Sequence, residues 1–153
     1  MKKDGVCMDK DTTRNLSRRL EKIKEDKEAD EFVKNHSRRE PMDFHQYINE
    51  QIGKKDVAMP VVCQRSGISR NYFYNIINGH TLRPGRDKVI ALCIGVGMTY
   101  SEVQRGLELA GLAPLYPKDE RDVRIAVAIN KGAKDVSDIN FLLDEYGLKT
   151  LEI

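Results

Sequence analysis

Between Met59 and Gly97 short apolar-patterned runs are cut by glycines, and this punctuation admits only short helices turning sharply on one another. Glycine reaches the left-handed backbone that ends a helix without steric cost. The segment MPVVCQRS predicts a short helix opening with Pro60, a residue tolerated in the first turn, and stopping at Gly67. Ser69 then caps a second helix, RNYFYNIIN, which ends at Asn78-Gly79. Past the loop HTLRPG, Val89, Leu92 and Cys93 repeat at helical spacing, and Gly95 and Gly97 close that helix.

The rest of the chain carries the same period. Phe44, Tyr47, Ile48 and Ile52 form one helical face ending at Gly53. Thr99 and Glu102 make a capping box for SEVQRGLELAG, which ends near Pro114. DERDVRIAVAINKG and DVSDINFLLDEYG read as two more helices, the second with Asp135 at its cap and Asp138 at N3. Upstream, Thr13 to Val33 reads as a single helix with Leu16, Leu20 and Ile23 at i, i+4, i+7, and with Lys24–Glu28 and Lys27–Glu31 spaced to pair. Such a short stripe suits an arm docking on the body or on another copy. NHSRREP, residues 35–41, is a polar break. Nothing alternates with period two, so the expected class is all-α. Three segments follow: a charged N-terminal arm with one helix (1–40), a central helical domain (41–115) and a C-terminal helical extension (116–153).

A chain of 153 residues with 40% hydrophobic content buries a real core without staples. The longest apolar stretch, Val89–Met98, is interrupted by glycine and too short to span a bilayer, and MKKDGVCMDK lacks the apolar centre of a signal peptide. The three cysteines are far apart, as suits reduced thiols, so the expected setting is cytoplasmic and away from membranes. The net charge of +2 conceals an uneven distribution. Residues 53–91 hold Lys54, Lys55, Arg65, Arg70, Arg83, Arg86 and Lys88 against Asp56 and Asp87, a local +5, whereas residues 92–153 sum to −3. A concentrated positive segment is an electrostatic footprint of the kind nucleic acid attracts.

Residues Val57 to Cys93 resemble the Xre/Cro-type, phage-repressor-like helix-turn-helix family. The resemblance rests on Val62-Cys63, Ser66-Gly67-Ile68-Ser69, Phe73, Ile76, Gly79, Arg83-Pro84 and Leu92, and it covers about a quarter of the chain. It implies a phage-repressor-like bundle and a sequence-specific transcriptional regulator of bacterial or phage type, whose helix 69–78 reads the major groove of double-stranded DNA. Phe73, Ile76 and Ile77 then face the core. Arg70, Asn71, Tyr74 and Asn75 become the base-contact candidates, since Arg can be bidentate to guanine and Asn to adenine. Lys55, Arg65, Ser69, Arg83, Arg86 and Lys88 become the phosphate-contact candidates, and Gly85 leaves the N–H groups of the next helix open to a phosphate.

Two departures support a rival reading. Met59-Pro60 stands where many family members carry Gln, and Tyr72-Phe73-Tyr74 is more aromatic than their recognition helices. Aromatics at helical spacing favour packing over base contact for Tyr72 and Tyr74. The alternative is therefore a protein-interaction adaptor built on the same scaffold. The partners admitted are double-stranded DNA, a second copy of the chain, or another protein.

Catalysis has little support. His36, His45 and His80 share no ligand spacing with Cys7, Cys63 or Cys93, so no metal or cofactor is expected. Gly95-Val96-Gly97 lacks a third glycine, and Gly53-Lys54-Lys55 lacks the upstream glycine of a phosphate loop. Cys63 and Cys93 read as core. No catalytic residue is assigned and no enzyme is expected. The apolar residues Ile125, Val127, Ile129, Phe141, Leu142 and Leu143 of the C-terminal pair serve packing or assembly, and the sequence leaves both open.

Overall fold

The computed structural model describes residues 13–36, 42–81 and 83–153. They contain nine α-helices and no strand, so the chain is all-α over the described residues. It divides into two compact units at the Pro41–Met42 boundary. Cys7 lies outside the described residues, as do the side chain of His36 and residues 37–41 of the polar break, whose first two residues, Asn35 and His36, instead end a helix.

The first unit holds α1 (Thr13–Leu20) and α2 (Asp26–His36). The expected single helix is thus broken at residues 21–25, where Lys22 and Ile23 bond back three residues, to Arg19 and Leu20. Leu20, expected in a buried stripe, is 53% exposed. With Leu20 exposed and Leu16 and Ile23 only half-buried, little burial rewards continuity, and surface pairs worth a few tenths of a kcal/mol each do not hold two segments in one helix.

The second unit holds α3 (Phe44–Lys55), α4 (Met59–Ser66), α5 (Arg70–Ile77), α6 (Arg86–Val96), α7 (Tyr100–Leu109), α8 (Glu120–Asn130) and α9 (Val136–Glu145). Helix α6 is buried from Val89 through Val96 and forms the axis, with α3, α4, α7 and α9 packed on it. Residues 116–153 are no separate extension: Ile125, Ile139, Leu143 and Leu151 join Phe73, Leu92 and Leu107 in one core.

Most helix ends follow local chemistry. Ser69 Oγ accepts from the Tyr72 N–H, Asp135 from the Ser137 N–H, and Thr99 and Glu102 form the reciprocal box. Gly67, Gly79 and Gly97 take left-handed angles. Two glycine readings are corrected. Helix α3 runs through Gly53 and stops at Asp56, which itself adopts φ 53°; a short polar side chain is among the few that tolerate that region. Gly95 lies inside α6, where an added Cβ would sit 2.8 Å from the Val62 carbonyl oxygen. Its role is to let α6 and α4 approach closely.

Candidate nucleic-acid interface

The sharp corner between α4 and α5 is built from four residues. The buried Ser66 hydroxyl donates to the Cys63 carbonyl at 2.8 Å and accepts from the Ile68 N–H at 3.2 Å. Gly67 supplies the left-handed step, Ile68 anchors the turn in the core, and Ser69 caps α5. Asn49 Nδ2 donates to the Ile77 carbonyl at 2.9 Å, fixing the far end of α5 to α3. Both ends of α5 are therefore held.

Helix α5 is divided lengthwise. Phe73, Ile76 and Ile77 are buried, whereas Arg70, Asn71 and Asn78 are exposed and Tyr74 and Asn75 are half-buried. Tyr72 and Tyr74 both pack against the core with part of each ring accessible. The Arg70 guanidinium lies over the Tyr74 ring, 5.9 Å from its centroid, and Phe73 meets Tyr74 edge-on. A cleft beside them is lined by Pro60, Cys63, Gln64, Arg70 and Tyr74. Searched against protein-family models, curated proteins and solved structures, the chain finds no match in any of the three.

The basic candidates separate into two groups. Lys88 Nζ lies over the Tyr72 ring, 5.2 Å from its centroid, which sets it beside α5, and Arg83 is exposed in the α5–α6 loop. Three others are engaged elsewhere. Arg86 donates to both carboxylate oxygens of Asp122 and to the Ala113 and Pro114 carbonyls. Asp122 is only 4% exposed, so turning Arg86 outward would strand a buried carboxylate. Lys55 pairs with Glu102 at 2.8 Å, and Arg65 reaches toward the Gly95 carbonyl near the end of α6 at 3.5 Å. Much of the positive segment thus serves the fold. The first turn of α6 has no side-chain cap behind Gly85, but it also carries Asp87.

Gln64 is a polar group at the cleft that residue spacing did not single out; its only sequence signal is its position one turn before the Ile68-Ser69 corner. Burial pushes the Cys93 thiol up to about 12 and raises Cys63 as well, although the Arg70 charge pulls Cys63 the other way. Burial, followed by the Glu102 charge, also pushes Tyr47 up to about 12; its hydroxyl donates to the Glu102 carbonyl at 3.0 Å. Among the described residues no cluster of three His, Cys, Asp or Glu could hold a metal ion, and no helix is long and apolar enough to cross a membrane.

Proposed function

We propose that the protein is a sequence-specific, cytoplasmic DNA-binding transcriptional regulator with a phage-repressor-like helix-turn-helix, α4 being its first helix and α5 its reading helix. The observation that carries this is the division of α5: three apolar residues go to the core while Arg70, Asn71, Tyr74 and Asn75 keep access to solvent on a helix held at both ends. The Xre/Cro-type resemblance of residues 57–93 points the same way. In this reading Arg70 donates its fork to a guanine, and Asn71 and Asn75 address adenine edges. Tyr74 backs the guanidinium and offers an apolar surface. Ser69, Arg83 and Lys88 take the phosphates, which set register and carry the salt dependence. Lys55, Arg65 and Arg86 drop out of the contact set.

The test is binding of a labelled random-sequence duplex as salt is raised. The regulator reading expects retention at about 50 mM salt that falls steeply toward about 200 mM. With only a few free cations beside α5, that non-specific grip is modest and tight binding rests on base contacts. Absence of binding at about 50 mM salt would sink the reading. The adaptor reading, favoured by Pro60, Cys63 and Tyr74 lining the same cleft, would then take its place.

A further inference from the structure

We propose that a pocket between the start of α7, the α7–α8 segment and the outer side of α8 binds a small, uncharged aromatic molecule. Four large apolar side chains that the fold leaves exposed, Tyr100, Tyr116, Val123 and Val127, converge on it. Buried Leu115 and half-buried Ala126 line it as well. Single apolar residues scattered over a surface mean little, but four that share one concavity mark a ligand site. The walls are set before any ligand arrives. Gln104 Nε2 donates to the Tyr100 hydroxyl at 2.9 Å and to the Leu115 carbonyl at 3.1 Å, and its Oε1 accepts the Leu115 N–H at 2.8 Å. Asp122, at the pocket wall, accepts the Tyr116 N–H at 2.9 Å. A site held in this way loses little freedom on binding.

Size, shape and charge identify the occupant. The cavity measures about 200 Å³. About 150 Å³ takes up a benzene ring, whereas drug-sized ligands need about 300–1,000 Å³, so the occupant is of single-ring size. Two tyrosines in the lining select a flat aromatic ring over a saturated one, through stacking or edge contacts. The Asp122 carboxylate repels an anion, and the Asp122 N–H in the first turn of α8 is already taken by the Asp119 carboxylate. Both Asp122 oxygens are engaged by Arg86, so no unmatched charge calls for a cation. The Tyr100 hydroxyl accepts from Gln104 and keeps its own proton to donate to an oxygen on the ring. Phenol has these properties. The inference goes beyond the DNA-binding reading and does not depend on it.

The test is a titration of the full chain, without DNA, with phenol, benzoate and cyclohexanol, read by methyl NMR shifts. Phenol should shift the Leu115, Val123 and Val127 methyls saturably, with a Kd of about 1 mM or tighter. Benzoate, which adds a negative charge, and cyclohexanol, which lacks the flat ring, should each bind about tenfold more weakly or less. Ala126→Phe fills the pocket and should abolish the phenol shifts. Tyr116→Ala should weaken phenol about tenfold, with the fold retained, because that side chain is exposed and the backbone N–H still reaches Asp122. Should Ala126→Phe fail to fold, Tyr116→Ala alone decides. No saturable shift of these methyls overturns the proposal, as does equal affinity for benzoate or cyclohexanol. Phenol binding that Tyr116→Ala leaves unchanged overturns it too.

Discussion

Arg86 and Asp122, the first-turn residues of α6 and α8, face each other as a bidentate ion pair with N–O distances of 3.2 and 2.9 Å. Their chain neighbours repeat the arrangement in reverse: Arg121 donates to both oxygens of Asp87, at 3.2 and 2.9 Å. Two Arg-Asp dipeptides are thus crossed. The lattice extends outward, since Arg121 also donates to the Lys149 and Thr150 carbonyls, Asp87 accepts from the Glu152 N–H, and Asp122 from the Tyr116 N–H. It ties the segment after α7 and the chain end to the first turn of α6, immediately after the loop that follows α5.

Breaking one half of this lattice is expected to be costly. Asp122→Ala leaves Arg86 without its counter-charge and should lower unfolding stability by about 3 kcal/mol. Arg121→Ala, in the more exposed pair, should cost less. Urea denaturation of both variants checks the order, and equal losses would contradict it.

The pair also predicts a pH dependence. Burial alone would raise the Asp87 carboxyl, but the Arg121 hydrogen bond, the Glu152 N–H and the Arg121 and Arg86 charges together hold it below the usual carboxylate range. A depressed folded-state value means the contribution is complete above the unfolded value of about 3.9 and is lost as pH falls through the folded one. Stability of the wild type should therefore drop below about pH 4 more steeply than that of Asp87→Asn. Parallel curves of urea midpoint against pH would refute this.

Two glycines on neighbouring helices should respond oppositely to alanine. Gly95→Ala drives a Cβ against the Val62 carbonyl and should destabilise by about 1–3 kcal/mol. Gly53→Ala meets nothing within 4 Å inside the last turn of α3 and should stabilise by about 0.5–1 kcal/mol. Thermal unfolding of the two variants decides it.

The contrast between these glycines shows what sequence could and could not disclose. Caps were legible because Ser69 with Tyr72, and Thr99 with Glu102, act within three residues. The buried side of α5 was legible because Phe73, Ile76 and Ile77 share one helical face. Gly95 and Gly53 look alike in sequence, and only the approach of α4 separates them. Arg86 reads as free for a phosphate in sequence because its partner Asp122 lies 36 residues away, beyond any local pattern. The positive window is a matter of composition, but which of its charges the fold consumes is a tertiary fact. For the same reason the sequence left Val127, Phe141 and Leu143 as one apolar set, although burial divides them.

The central claim, that α5 reads base pairs, is tested most directly by selecting bound sequences from random duplexes and then comparing wild type with Arg70→Ala and Asn71→Ala. Both residues are exposed, so the variants should fold as the parent does. The account predicts enrichment of a defined motif, with each substitution relaxing preference at its own position and costing about 1–3 kcal/mol on the selected site. No enriched motif, or one that both variants bind as tightly and selectively as wild type, would contradict it.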